Sequence, residues 1–120
     1  MSSTKRYVEV LKRSAEVVEA YRRSLRRHLV AIRDLARERF GPGVRVYLFG
    51  STLRGDHGPL SDIDVAVVLD REPTESERAT FRAELRERLG LFHPFEVHVV
   101  SEESWRGWYL RFVKGECREV

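Results

Sequence analysis

The sequence predicts an α/β protein of the α+β kind, a three-stranded mixed sheet flanked by about four helices in the order α-β-α-β-α-β-α. Three observations carry this. Residues 5–40 contain neither Gly nor Pro and repeat apolar side chains every three or four positions, the period of an amphipathic helix. Three runs rich in β-branched and aromatic residues, at 44–49, 63–69 and 94–100, have the length and composition of strands. A capped helical pattern lies between the second and third runs, and a strand–helix–strand unit of this kind makes its two strands parallel.

Length and composition fit one domain over 1–120, with a core large enough to fold alone. The chain is 42% hydrophobic and 34% charged, as in soluble globular proteins. No stretch approaches the roughly 20 apolar residues of a membrane span. The N-terminus MSSTKRYVEV lacks the apolar core of a secretion signal. A lone cysteine, Cys117, excludes an internal disulfide. A cytoplasmic setting follows. The net charge of +3 conceals an asymmetry: residues 1–40 hold 11 Lys and Arg against 5 Asp and Glu, whereas 41–120 hold 11 against 14. The basic excess therefore sits on the N-terminal helix and the acidic excess on the rest.

In that helix, expected over about 5–40, Leu11, Ala15, Val18, Tyr21, Leu25, Leu29, Ile32, Ala36 and Phe40 form one stripe. At 1.5 Å per residue it would run roughly 50 Å, longer than a domain of this size can cover. Either it breaks, or its first turns project and pack on another chain. Val8, Val10 and Val17 widen the apolar surface near the start, which favours a protein partner or a second copy. Arg22-Arg23 and Arg26-Arg27 make a basic patch at helical spacing. A nucleic-acid footprint is one reading; a solvated face is the better one. Gly41-Pro42-Gly43 then breaks the helix.

The first strand ends at Gly50-Ser51. Gly50 has no Cβ, so a ligand can come close to the backbone. A short helix opening at Ser51-Thr52 would aim free N–H groups at an anion. Arg54, one turn later, suits either a phosphate or an ion pair. Asp56-His57-Gly58-Pro59 is turn-forming and delivers the chain to Ser61-Asp62, with His57 read as an exposed loop residue. Asp62 and Asp64 are two apart in an extended run, so both carboxylates point to one face. Among apolar neighbours their repulsion is costly. A divalent cation removes the conflict, and Mg²⁺ commonly binds one or two carboxylates together with substrate phosphates.

Thr74 and Glu77 have the spacing of a capping box. Phe81, Leu85 and Leu89 mark the core face of the helix that follows, and Gly90 ends it. In the third strand Phe95, Val97 and Val99 face one way, Glu96 and His98 the other. Parallel pairing with the second strand brings Glu96 beside Asp62 and Asp64. The trio is the arrangement that two-metal phosphoryl transfer requires. His98 reads as a hydrogen-bonded structural imidazole, with a role in deprotonating the acceptor as the alternative. Ser101 can cap an aromatic helix over about 101–113, in which Trp105, Trp108, Tyr109 and Phe112 share a face. That face reads as core packed on the sheet rather than a base-stacking platform. Residues 114–120 read as a frayed polar tail.

Gly50-Ser51, ten further residues, and Asp62-Ile63-Asp64, with Arg54-Gly55 and Ser61 between them, resemble the nucleotidyltransferase superfamily that includes DNA polymerase beta. Within it they resemble the minimal nucleotidyltransferases of bacteria and archaea, over about 44–100. The resemblance implies a polymerase beta-like fold and two Mg²⁺ ions on Asp62, Asp64 and Glu96. It implies ATP or another NTP bound at Gly50, Ser51 and Arg54, and transfer of a nucleoside monophosphate, AMP foremost, to a hydroxyl acceptor. It also implies a small helical partner of the HEPN family, since some minimal nucleotidyltransferases are antitoxins that transfer AMP to such a toxin. The third acid of the family is usually Asp, and Glu96 is one methylene longer. That departure supports an alternative: a binding module, catalytically degenerate, that acts on its partner by contact. The intact Gly-Ser and Asp-x-Asp favour the enzyme. An Asp-x-Asp glycosyltransferase fails on size and on the Gly-Ser placed upstream.

Overall fold

The long N-terminal stripe folds as two helices, α1 (Ser3–Arg23) and α2 (Leu25–Phe40), in a computed structural model that describes residues 3–109, 111 and 116–120. Of the two outcomes open to so long a helix, breakage is observed. The break falls at Ser24 (φ −109°, ψ 35°), whose hydroxyl turns back to donate to Ala20 O at 3.1 Å. Ser competes in this way with helical backbone bonding, which is why it is weak in helix interiors. Beyond the break the stripe is core: Leu29, Ile32 and Ala36 are buried, with Leu35 beside them. Before it, Leu11, Ala15 and Val18 are only half-buried, and no described residue of α1 is fully buried.

The chain continues through β1 (Arg45–Phe49), α3 (Ser51–Arg54), β2 (Ile63–Leu69), α4 (Glu75–Leu89) and β3 (Phe95–Ser101). It then enters α5 (Glu102–Ser104), a wider π-type turn over Trp105–Tyr109, and β4 (Cys117–Glu119). The sheet order is β3-β2-β1-β4. β2 and β3 are parallel, as the intervening helix requires, while β1 is antiparallel to both β2 and β4.

The fourth strand corrects two expectations, a three-stranded sheet and a frayed tail. Tyr47, Leu48 and Phe49 pair with Glu119, Arg118 and Cys117, and Val120 N donates to Val46 O at 2.8 Å. A segment of three polar or small residues has no alternation to read. It becomes a strand because β1 would otherwise present a row of unpaired N–H and C=O groups along that edge. The expected 101–113 helix opens as α5 and changes pitch over Trp105–Tyr109. Ser101 does cap it, accepting from Ser104 N at 3.1 Å. Its expected end, with Phe112, lies outside the described residues, as do Lys114 and the side chain of Trp108.

Strand alternation sends one set of side chains to each face of the sheet. On one face Val46, Leu48, Ile63, Val65, Val67, Leu69, Phe95, Val97 and Val99 pack under α2 and α4, against Ile32, Phe81 and Leu85 among others. On the other face Phe49, Ala66, Val68 and Val100 pack against Trp105, with Tyr47 and Tyr109 beside them. The aromatic stripe is thus core where it is described; Trp105 stacks on Tyr47 with centroids 5.2 Å apart. α4 carries the expected capping box, Thr74 accepting from Glu77 N and Glu77 accepting from Thr74 N. Arg71 donates twice to the Glu77 carboxylate and, with the Thr74 N–H, holds it down at a pKa of about 2. Among the described residues no helix is long and apolar enough to cross a membrane.

Candidate active site

The second, less covered face of the sheet carries the chemistry. Parallel pairing sets Asp64 directly opposite Glu96, and alternation places His98 on the same side as Glu96. His98 Nε2 stands 3.5 Å from Asp64 Oδ1 and 3.9 Å from Glu96 Oε1. Ligand atoms of Asp64, Glu96 and His98 all lie within 4.8 Å of one another. Asp64 and His98 are about a quarter exposed and Glu96 about half. The His98 ring is flanked by Phe49 (5.5 Å) and Tyr109 (5.6 Å).

Gly50 links the first strand to this group. Its backbone sits at φ 83°, ψ −160°, a region essentially reserved for Gly. A Cβ built there would fall 2.5 Å from Asp64 Oδ2. Two demands therefore converge on one glycine: the turn from β1 into α3, and the close approach of a carboxylate. α3 opens at Ser51, as expected for a turn that offers N–H groups to an anion. Arg54 N donates to Gly50 O and Gly55 N to Ser51 O, so the first N–H groups of the turn have no helical acceptor.

The expected site residues fall into two groups. Gly50, Asp64 and Glu96 are brought together, and Ser51 is adjacent by sequence. Asp62 is exposed and stands just before β2, which begins at Ile63. It is not part of the group formed by Asp64, Glu96 and His98. The extended run read from sequence thus starts one residue late: Ile63 N is the first to bond across, to Pro94 O at 2.9 Å. Arg54 points to an ion pair, 3.1 Å from Asp56. His57, read as an exposed loop residue, is half-buried.

Two contributors escape sequence reasoning. Arg22, grouped with its neighbours as solvated charge, reaches across from α1 and donates to Ser61 O at 2.6 Å, tethering the loop that presents Asp62. Arg23, Arg26 and Arg27 are exposed. A cleft of about 560 Å³ runs along the free edge of β3, bordered by Arg82, Arg86, Phe92, Glu96 and His98. It opens the site from the side opposite β1. No local sequence signal marks it, because its walls come from α4, β3 and the turn between them.

Residues 29–118 match the family model described as a nucleotidyltransferase domain. A crystal structure of a presumptive nucleotidyltransferase superposes with a TM-score of 0.63 at 28% identity, covering 78% of this chain and 97% of that one. A chain in the solved complex of a tri-AMPylated Shewanella oneidensis HEPN toxin with an MNT antitoxin superposes with a TM-score of 0.54 at 21% identity, covering 78% and 69%. Comparison with curated proteins finds no match.

Proposed function

This chain belongs to the nucleotidyltransferase domain family, and we propose that it transfers a nucleoside monophosphate, AMP from ATP in the first instance, to a hydroxyl acceptor. The observation that carries this reading is the register of β2 on β3, which sets Asp64 against Glu96 with Gly50 pressed onto Asp64. Among the described residues the one basic side chain within 4 Å of these two carboxylates is the His98 imidazole. Adjacent carboxylates that lack a Lys or Arg call for another cation, and their hard oxygen donors fit Mg²⁺.

In this reading Asp64 and Glu96 hold the metal, two Mg²⁺ ions in all, with Asp62 joining from the mouth of the site. Bound there, the ions would neutralise the triphosphate and lower the pKa of the acceptor hydroxyl. Gly50 and Ser51 offer the N–H groups of the α3 turn to the β- and γ-phosphates, and Arg54 exchanges Asp56 for phosphate. Glu96, at the lip of the β3-edge cleft, orients the acceptor hydroxyl arriving through that cleft and takes its proton. Pyrophosphate leaves. The setting is cytoplasmic, where ATP and Mg²⁺ are supplied.

The acceptor fits a partner protein. α1 leaves Tyr7, Val8, Val10 and Val17 exposed, and Leu91 and Phe92 beside the cleft are more exposed still. We assign this surface to a small helical partner of the HEPN kind, as the MNT antitoxin has in its complex, with a second copy of this chain as the other occupant. The same exposed stripe favours a second reading, an antitoxin that neutralises its partner by contact alone. The test is to incubate the chain and its co-purified partner with α-labelled ATP and Mg²⁺. The enzyme reading expects label on the partner, lost in the Asp62→Ala, Asp64→Ala double variant. A partner that stays bound and unlabelled in both leaves contact as the function.

A further inference from the structure

We propose that His98 is a nitrogen ligand of the metal centre, so that the ion held by Asp64 and Glu96 sits in a mixed carboxylate–imidazole site that selects a divalent transition ion over Mg²⁺. The inference rests on the metal-binding reading above and adds to it a residue and a metal class.

His98 is placed by two independent features. Alternation along β3 puts it on the face of Glu96, two residues on, while the parallel pairing brings both against β2 and its Asp64. Phe49 and Tyr109 then flank its ring. A half-buried imidazole between two carboxylates has a simpler explanation, a protonated counter-charge. The distances speak against it. Charge-assisted N–H···O bonds run about 2.7–2.9 Å, whereas His98 Nε2 stands at 3.5 and 3.9 Å. Ligands that share one ion at bond lengths of about 2.1 Å are instead about 3.0 Å apart when octahedral neighbours and about 3.4 Å apart in a tetrahedron. The three ligand atoms, all within 4.8 Å, need only a small closure to reach that spacing. Glu96, the most exposed of the three, can supply it by rotation.

The donor set decides the metal class. Two carboxylates alone suit Mg²⁺; imidazole favours first-row transition ions. A carboxylate–carboxylate–imidazole set therefore binds Mn²⁺ more tightly than Mg²⁺, and losing the imidazole narrows the gap.

Mn²⁺ is the probe, added to the nucleotide-free chain. Loss of the free-ion signal in continuous-wave electron paramagnetic resonance gives affinity, and pulsed measurements on the bound ion detect any coordinated nitrogen. The wild type is expected to bind Mn²⁺ with nitrogen modulation that changes on ¹⁵N-histidine labelling. His98→Gln should lose the modulation and weaken Mn²⁺ binding at least tenfold, with a smaller loss for competing Mg²⁺. His57→Gln should keep the modulation. Asp64→Asn separates the two levels of the claim. Mn²⁺ bound through Asp64 without nitrogen modulation overturns the role of His98 and leaves the carboxylate site standing. Failure of the wild type to bind either ion overturns both. The wild-type spectrum needs no substitution, so the proposal is refutable even if His98→Gln folds poorly.

Discussion

Adding a single methyl group at Gly50 should both destabilise the fold and displace Asp64, a carboxylate proposed to hold the metal. The Gly50 backbone lies at φ 83°, ψ −160°, a conformation that costs a residue with a side chain about 1–3 kcal/mol. The new Cβ would also sit 2.5 Å from Asp64 Oδ2 and 3.3 Å from its Cβ and Cγ, against ordinary separations of about 3.5–4.0 Å. The carboxylate must move, and with it the contacts to Glu96 and His98. Gly55 provides the control. It sits at φ 80°, ψ 10°, yet no atom lies within 4 Å of a Cβ built there. Gly55→Ala should therefore lose about 1–2 kcal/mol through backbone strain alone and keep metal affinity. Gly50→Ala should lose about 2–4 kcal/mol, lower Mn²⁺ or Mg²⁺ affinity at least tenfold, and cut transfer about 100-fold or more, since a displacement near 1 Å can do so. Thermal denaturation reads stability, at roughly 3–6 °C per kcal/mol for a chain of this size, and calorimetric titration reads affinity. A Gly50→Ala protein with the melting temperature of Gly55→Ala and wild-type metal affinity would refute the idea that close approach to Asp64 dictates this glycine.

Other perturbations test the scaffold. Burial, and secondarily the positive charge of Arg86, lower the His93 pKa below its usual 6.5, and its Nδ1 accepts the Phe95 N–H at 3.1 Å. Below pH 6.5 the unfolded chain takes up this proton before the folded one does. The contribution is therefore complete above pH 6.5 and lost as pH falls toward the lowered value. Denaturant titrations from pH 7.5 to 5 should show this decline, and His93→Gln should flatten it; equal slopes would count against it. Arg22→Ala removes a charged donor 2.6 Å from Ser61 O. A loss of about 1–2 kcal/mol is expected, with faster amide exchange over 58–62, and unchanged exchange there would show that Arg22 does not hold the loop. Tyr21→Phe deletes the hydroxyl that donates to Leu89 O at 2.5 Å and should cost about 1 kcal/mol in chemical denaturation. Because that hydroxyl also lies 2.5 Å from where a Gly90 Cβ would stand, Gly90→Ala should be less harmful in the Tyr21→Phe background than alone.

Much of the site was legible because its residues stand close together along the chain. The interval from Gly50 to Asp64 contains a glycine, a turn and a buried strand, each with its own local signal. Glu96 needed one step more, the parallel crossover implied by the capped helix between β2 and β3. His98 was visible on the face of Glu96, but its place between two carboxylates depends on where β2 lies laterally. Asp62 stands one residue before the ladder, which starts at Ile63, and is exposed, because pairing begins only where β3 offers a partner. Arg22 looked like any other arginine of a basic helix until the loop carrying Ser61 was brought beneath it.

Local composition and periodicity settled the kind of the principal elements, the capping of α4, the two-faced character of β3 and the pairing of a glycine turn with acidic residues. These depend on side-chain alternation, backbone freedom and hydrogen bonds between near neighbours. Folding in three dimensions settled the break at Ser24, the recruitment of Cys117–Glu119 as a fourth strand, the gathering of Asp64, Glu96 and His98, and the cleft along β3. Each of these joins segments far apart in the chain. Their positions follow from which sheet edges and apolar faces remain to be covered, a quantity no single stretch of residues contains.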